Sequence, residues 1–332
     1  MTKKLTLDEY TQKIQCIVPD ITQYRREDYQ KSYAEYCKLN GRRTPDAIKV
    51  DLIRNPYFVE NSNVRGCFSQ FWLILSDLNK YLLKEIPNPR FFRNGSGMYT
   101  RDNALIVPRV ISAAGLECAE YYLVNWVMDD SVSTWEDDFL LTPSFLKDDD
   151  EMLSFKDILG RECLDVEIIE RNLRRELELR HFREKNINRF MQDLRRKICM
   201  SEIIDNTDMS SENMSVIFNN GTVRVAPLYD FDFCMGNEAV VNRHFKIKGQ
   251  QGLLAVLDYY KDDKELVKWL EERILTINMN QIVSVKESTQ NRGLVCKEAR
   301  YVYKDFWEQQ IDTIRKFLIK IQEPSTENKE LE

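Results

Sequence analysis

Apolar positions follow two different periods along this chain, and they divide it into two regions of different predicted structure. From residue 59 to residue 150, short apolar runs such as 68–75 and 81–86 are separated by turn-prone residues. This pattern predicts a β-hairpin followed by further strands. Beyond Ser154 the apolar residues recur at helical spacing over long stretches. A strand-rich region followed by a mostly helical one is typical of the α+β class.

Local signals place the remaining elements of the strand-rich region. The apolar pattern predicts strands at 119–127 and 138–142. A helix is expected at 100–115, with a kink at Pro108 because proline interrupts the helical hydrogen bonds. The acidic stretch 129–138 is interpreted as a solvated loop rather than a cation site.

The helical region contains one predicted hairpin. Its strands are expected at 214–218 and 222–226, because Asn219-Asn220-Gly221 between them is a strong turn signal. The chain before residue 58 also shows near-helical apolar spacing. The helices predicted beyond Ser154 cover 155–159, 166–179, 182–204, 253–261, 265–276 and 299–321.

Composition and charge narrow the choice of function. The 332 residues carry 48 Lys and Arg against 54 Asp and Glu, a net charge of −6. This balance gives no overall attraction to nucleic acid or to anionic lipid. The apolar runs are shorter than a membrane-spanning helix, and the polar N-terminus is unlike a secretory signal. We therefore expect a cytoplasmic protein without a membrane partner.

Cysteine and histidine usage excludes several kinds of site. The eight cysteines are scattered without a CxxC pair, and the only histidines are His181 and His244. This pattern predicts neither a zinc site nor a disulfide framework, and it fits a reducing compartment. Neither histidine lies in a nucleophile-like motif, which argues against a Ser-His or Cys-His hydrolase. We expect both histidines to be surface residues or to be satisfied locally.

The segment 203–236 carries the chemistry. Its polar loop contains Asp208 and Asn213, and Asp230 follows the predicted hairpin. Two carboxylates and a carboxamide supply the oxygen ligands that Mg²⁺ prefers. The spacing of Asp208 and Asn213 is that of a kinase catalytic loop, and transfer of phosphate from ATP also needs a lysine that holds the phosphates. Lys84, at the end of the predicted strand 81–86, is the candidate for that lysine.

Two stretches carry a resemblance to a known family. The loop reads Asn206-Thr207-Asp208-Met209-Ser210-Ser211-Glu212-Asn213, and the stretch after the hairpin reads Val225-Ala226-Pro227-Leu228-Tyr229-Asp230. Together they resemble the HipA-like serine/threonine protein kinases, which often act as toxins in toxin–antitoxin pairs. The family usually has His and Lys within the loop, where this chain has Ser210 and Glu212.

The resemblance implies a role for each candidate residue. Asp208 would be the catalytic aspartate, Asn213 and Asp230 would bind Mg²⁺, and Lys84 would bind the phosphates of ATP. Phe145 is similar to the hinge residue on which adenine lies. The segment from Gly66 to Ser69 occupies the place of the phosphate loop, which makes Gly66 a nucleotide-binding candidate and Ser69 a nucleotide-binding and autophosphorylation candidate.

The resemblance also implies a bilobal protein-kinase-like fold. Its parts would be a helical N-terminal cap at 1–58, a β-rich N-lobe at 59–150, and a helical C-lobe at 151–322 with the catalytic loop and metal-binding hairpin. The last residues, 323–332, lack apolar periodicity and are expected to be disordered. The expected partners are a protein substrate and an antitoxin or other regulatory protein.

Several alternatives stay open at this stage. Asp232 competes with Asp230 for the metal, because alternation along an extended segment places both on one face. The kinase fold could also serve as an inactive binding module, or it could phosphorylate a small molecule or a lipid. The stretch 171–197 carries ten basic residues against four acidic ones, and we interpret it as a solvated helical surface rather than a nucleic-acid site.

Overall fold

The computed structural model describes eight stretches of the chain, and these form two compact units. The first unit contains the residues up to 91, together with 119–148 and 286–294. The second contains 92–118, 149–285 and 295–332. The described residues are 58–61, 70–74, 80–85, 100–130, 133–147, 149–235, 243–283 and 297–323. The predicted helical cap, apart from Phe58, and nearly all of the predicted tail lie outside these residues.

The first unit is built on a five-stranded antiparallel sheet. Its strands are β1 (Phe58–Asn61), β2 (Gln70–Ile74), β3 (Lys80–Glu85), β4 (Tyr122–Asp130) and β5 (Ser133–Pro143). The order across the sheet is β1-β2-β3-β5-β4, so β3 is the central strand. The predicted hairpin is confirmed, because β2 and β3 pair antiparallel.

The prediction of an acidic loop at 129–138 is wrong. Asp129 and Asp130 complete β4, and the segment from Ser133 onward belongs to β5. The two strands pair over nine positions, from Tyr122 opposite Leu141 to Asp130 opposite Ser133. A long antiparallel ladder satisfies the backbone N–H and C=O groups whatever charges the side chains carry. The many acidic residues in 129–138 therefore lie on paired strands and do not indicate a loop.

The second unit is mostly helical, as predicted, and its described part contains two small sheets. Their strands are β6 (Glu151–Ser154), β7 (Ser215–Asn219), β8 (Thr222–Val225), β9 (Lys246–Ile247) and β10 (Gln250–Gln251). The three-stranded sheet has the order β6-β7-β8, with β7 and β8 forming the predicted hairpin. The strand β6 and the hairpin β9–β10 were not predicted, and the helix Lys264–Trp269 continues into a turn of π-helix at Leu270–Ile274. The helices are α1 (Thr100–Ala113), α2 (Phe155–Leu159), α3 (Val166–Leu179), α4 (Glu184–Ile203), α5 (Leu253–Tyr259), α6 (Lys264–Trp269), α7 (Met279–Val283) and α8 (Lys297–Gln322).

Apolar residues at helical spacing form the core of this unit, as the periodicity predicts. On α4 the buried positions include Ile187, Leu194 and Ile198, which are spaced by whole turns of the helix. Burial of each such side chain stabilises the fold by about 1.5–3 kcal/mol. Helices α1 and α8 contribute further apolar residues that are fully enclosed, among them Ile106, Val107, Ile111 and Ile314. No helix among the described residues has the length and apolarity needed to cross a bilayer.

Candidate active site

The polar loop after α4 lies against the segment that follows the β7–β8 hairpin. The backbone N–H of Thr207 donates to the carbonyl of Phe233 at 2.9 Å, and the Thr207 hydroxyl donates to the same oxygen at 3.2 Å. The N–H of Met235 donates to the carbonyl of Ile204 at 2.7 Å. These bonds align the two polar segments that the sequence singled out, so their side chains share one site.

Asn213 connects the two segments through its carboxamide. Its Nδ2 lies 3.1 Å from the backbone carbonyl of Asp208 and 3.5 Å from Oδ2 of Asp230. Asn206 supports the loop from below, since its buried Oδ1 accepts the N–H of Asp208 at 3.2 Å. The structure therefore brings Asp208, Asn213 and Asp230 together, all of them half-buried.

The backbone at Asp230 is strained. Its φ angle is +63°, in the left-handed region of backbone conformation that residues other than glycine rarely occupy. Strain of this kind persists only where neighbouring bonds impose it, and it concentrates at functional sites. Here Tyr229 supplies such a bond, because its hydroxyl donates to the carbonyl of Glu212 at 2.9 Å. Burial raises the pKa of Tyr229 to about 12, so the phenol keeps the proton that it donates.

A buried asparagine on α1 fixes the same segment from the opposite side. Nδ2 of Asn103 donates to the carbonyls of Asp232 and Cys234, each at 3.0 Å. The Asn103 side chain is itself oriented by Tyr303 of α8, whose hydroxyl donates to Oδ1 at 2.7 Å. Sequence reasoning missed both residues, because a single Asn or Tyr within an apolar helical pattern carries no signal of its own.

Lys197 fixes the chain just after β8. This lysine is 1% exposed, and its ammonium donates to the carbonyls of Val225 and Ala226 at 3.0 and 3.1 Å. Asp193, one helical turn earlier, pairs with the ammonium at 3.1 Å. A buried charge needs such partners, and these two carbonyls set the direction in which the chain leaves β8 toward Asp230.

Two acidic residues hold the loop on its outer side. Glu162 accepts both the N–H and the hydroxyl of Ser211, each at 2.8 Å. Glu212, which replaces the lysine usual in the resembled family, forms an exposed ion pair with Lys156. The opposite charges at 212 and 156 therefore compensate each other within this chain.

His244 is buried and satisfied by specific partners, which is one of the two environments expected for it. Its Nδ1 lies 3.1 Å from Oε2 of Glu202, a carboxylate at the end of α4 with only 1% of its side chain exposed. The other oxygen of Glu202 accepts the N–H of Phe245 at 2.8 Å. The hydrogen bond to Glu202 raises the pKa of His244. The adjacent Arg243 donates its backbone N–H to the carbonyl of Thr207 at 2.8 Å, so this contact supports the loop.

The donor set at the site fits a hard cation. Asp208 and Asp230 offer carboxylate oxygens, and the amide nitrogen of Asn213 faces these two residues, which leaves its Oδ1 as the oxygen donor. Oxygen donors of this type suit Mg²⁺. In the part of the chain that the structure describes, this site included, no group of three or more His, Cys, Asp or Glu side chains has a metal-binding arrangement. Asp232 is buried, and the contact of Asp230 with Asn213 favours Asp230 as the ligand.

The remaining candidates belong to the first unit. Lys84 is half-buried on the central strand β3, with Gln70 opposite it on β2 and Leu140 opposite it on β5. Phe145 is half-buried and follows the end of β5. Gly66 and Ser69 lie outside the described residues. Their predicted roles, like those of the other candidates, stay predictions.

Comparison with known proteins identifies the fold. No protein-family model matches the chain, and no curated protein matches it in sequence. Among solved structures, it resembles the Helicobacter pylori proinflammatory kinase CtkA with a TM-score of 0.58 at 12% identity, covering 80% of this chain and 97% of CtkA. It also resembles HipA of Shewanella oneidensis MR-1, solved in complex with HipB and operator DNA, with a TM-score of 0.48 at 11% identity, covering 90% of this chain and 72% of that chain.

The likeness to CtkA defines the class of fold. The chain has a kinase fold similar to that of CtkA. The mixed α and β fold class predicted from the sequence is confirmed. At these identities the likeness concerns the fold alone.

Tyr303 and Asn103 provide a test of how the site is held. Tyr303→Phe removes the hydroxyl that orients Asn103, and we expect it to lower the free energy of unfolding by about 1 kcal/mol. Asn103→Ala leaves two buried carbonyls without a donor, and we expect a loss of about 2–4 kcal/mol. Urea unfolding measures both effects. Tyr301→Phe, on the same helix but 67% exposed, is the matched control and should have little effect. Equal losses for Tyr303→Phe and Tyr301→Phe would contradict this account.

His244 predicts a pH dependence of stability. Because the folded state raises its pKa above the ordinary value, protonation favours folding. The stabilisation is complete below the unfolded pKa of about 6.5 and is lost as pH rises through the folded pKa. Urea unfolding of the natural chain and of His244→Gln across this range should therefore give a difference in stability that shrinks with rising pH. Glu202→Gln should weaken that dependence, and a difference that stays constant or grows with pH would refute the role of His244.

Proposed function

We propose that this chain is an ATP-dependent protein kinase that phosphorylates a serine or threonine hydroxyl. The observation that carries the proposal is the Asn213 carboxamide, which contacts both Asp208 and Asp230 within a kinase-like fold. An aspartate, an asparagine and a second aspartate in this order are the residues that phosphoryl transfer uses to orient the acceptor and to hold Mg²⁺.

In this proposal each residue has a distinct task. The Asp208 carboxylate orients the acceptor hydroxyl and receives its proton as the hydroxyl oxygen bonds to the γ-phosphorus. The bond between that phosphorus and the bridging oxygen of ADP breaks in the same displacement. Asn213 and Asp230 would hold Mg²⁺, which neutralises charge on the phosphates when bound. Lys84 would contact the phosphates, and Phe145 would lie against adenine.

Further expectations come from the sequence resemblance. Gly66 and Ser69 would lie in the phosphate loop, and phosphorylation of Ser69 would then inactivate the enzyme. An antitoxin or another regulatory protein is the expected partner besides the substrate. We expect no direct contact with nucleic acid.

One observation favours a second candidate function, a kinase fold that binds a partner without catalysis. Ser210 and Glu212 replace the loop residues usual in the resembled family, and Glu212 is paired with Lys156. Such a module would retain the geometry of the loop without requiring turnover. Binding of Mg·ATP and transfer of phosphate must therefore be measured separately.

Conservative substitutions separate the proposed roles. We expect Asp208→Asn to reduce transfer of radiolabelled phosphate from ATP to lysate proteins at least about a hundredfold, since a positioned general base contributes on that scale. Calorimetry should show that this variant still binds Mg·ATP. In Asp230→Asn, Mg²⁺ should no longer strengthen nucleotide binding, and phosphate transfer should be lost as well. The exposed Asp262→Asn is the control and should retain both activities.

The results also separate the alternatives. Binding of Mg·ATP by the natural chain without any transfer would support the binding module, and label in small molecules or lipids would indicate a different acceptor. Full transfer activity in Asp208→Asn or Asp230→Asn would contradict the proposed roles.

A further inference from the structure

A cleft of about 1040 Å³ lies on the second unit, away from any residue assigned to phosphoryl transfer. It is bounded by the turn between α3 and α4, by the first two turns of α4 and by the tip of the β7–β8 hairpin. Its volume is at the upper end of the range for ligand sites, about 300–1,000 Å³. The cleft shares α4 and the β7–β8 hairpin with the candidate active site but none of its proposed residues, so its role is inferred from its own lining.

The lining is predominantly basic. Four basic side chains face the cleft against two acidic ones, Asp149 and Glu151. Arg180 pairs with Glu151 at 2.9 Å. Within the part of the chain that the structure describes, the other three basic side chains form no ion pair, and all three are exposed: Arg183, Lys185 and Arg189. Apart from the pair of Arg180 and Glu151, three basic side chains therefore face the cleft against one carboxylate, that of Asp149, which leaves a net positive charge.

An aromatic pair lies beneath these charges. The rings of Phe182 and Phe218 stack with their centroids 6.1 Å apart, and the guanidinium of Arg180 lies 3.9 Å from the centroid of the Phe218 ring. Arg180 is held in this position by Glu176 at 2.8 Å in addition to Glu151. The contact links the end of α3 to the hairpin, so the apolar floor and one wall are already formed without a ligand.

We propose that this cleft is a docking site for an acidic peptide segment of a protein partner. Carboxylates of the segment would pair with Arg183, Lys185 and Arg189, and an apolar side chain would pack on Phe182, which is half-buried and stacks on the buried Phe218. Nucleic acid fits less well, because its affinity comes mainly from neutralising many backbone phosphates, whereas this cleft offers three unpaired basic groups and contains Asp149. The proposal is independent of phosphoryl transfer, since it uses none of the residues proposed for that reaction.

Charge reversal on one face of α4 tests the proposal. Lys185 and Arg189 lie one helical turn apart in the cleft, and Lys185→Glu/Arg189→Glu breaks no ion pair among the described residues. The matched control is Arg171→Glu/Arg175→Glu, two exposed residues with the same spacing on α3 that do not line the cleft. The probe is a short labelled peptide of Glu and Asp with one Phe, and binding to the full chain is followed by fluorescence anisotropy. Thermal unfolding verifies that each variant is folded.

We expect the acidic peptide to bind the natural chain and to bind the cleft variant about tenfold more weakly, with little change for the α3 control. Raising the salt concentration should weaken binding to the natural chain, and a peptide with Lys in place of the acids should not bind. Absence of binding to the natural chain, or equal weakening in both variants, would overturn the proposal. Tighter binding of single-stranded DNA of the same length would also overturn it and would indicate a phosphate-binding surface instead.

Discussion

The carboxamide of Asn213 is the contact on which the candidate site depends. It joins the backbone of Asp208, in the loop after α4, to the carboxylate of Asp230, which follows a hairpin. Backbone hydrogen bonds, such as that from Thr207 to Phe233, align the two segments, and Asn213 is the side chain that links the two acidic residues within them. The nitrogen faces the two aspartates, so the oxygen of the same group is the atom offered to a cation.

Buried polar groups on several elements stabilise this arrangement. Asn103 and Tyr303 hold the segment after Asp230, Lys197 holds the segment before it, and Glu202 holds the backbone that pairs with the loop. Each of these groups has its hydrogen-bonding partners. A buried polar network whose members are all paired makes a core rigid, because any movement that leaves one polar group unpaired costs free energy. They also explain how the left-handed backbone at Asp230 is maintained.

The sequence predicted much of this fold for identifiable reasons. Long amphipathic helices such as α3 and α4 follow from local apolar periodicity, and the hairpin at Asn219-Asn220-Gly221 follows from turn chemistry. The spacing of Asp208 and Asn213 made these loop residues candidates for the site. The supporting residues could not be predicted in the same way. Asn103 bonds to a carbonyl 129 residues away and to a tyrosine 200 residues away, and no local pattern encodes such pairs. Strands were predicted at 119–127 and 138–142, but their continuation through the acidic stretch 129–138 was missed for a related reason, because backbone pairing, rather than side-chain charge, decides the structure there.

The measurement that tests the central claim most directly is a crystal structure of the chain with Mg²⁺ and a non-hydrolysable ATP analogue. The account predicts a metal ion held by Oδ1 of Asn213 and the carboxylate of Asp230, with the Lys84 ammonium on phosphate oxygens and Asp208 directed at the terminal phosphate. A nucleotide bound elsewhere, or a metal that Asp230 does not contact, would contradict it.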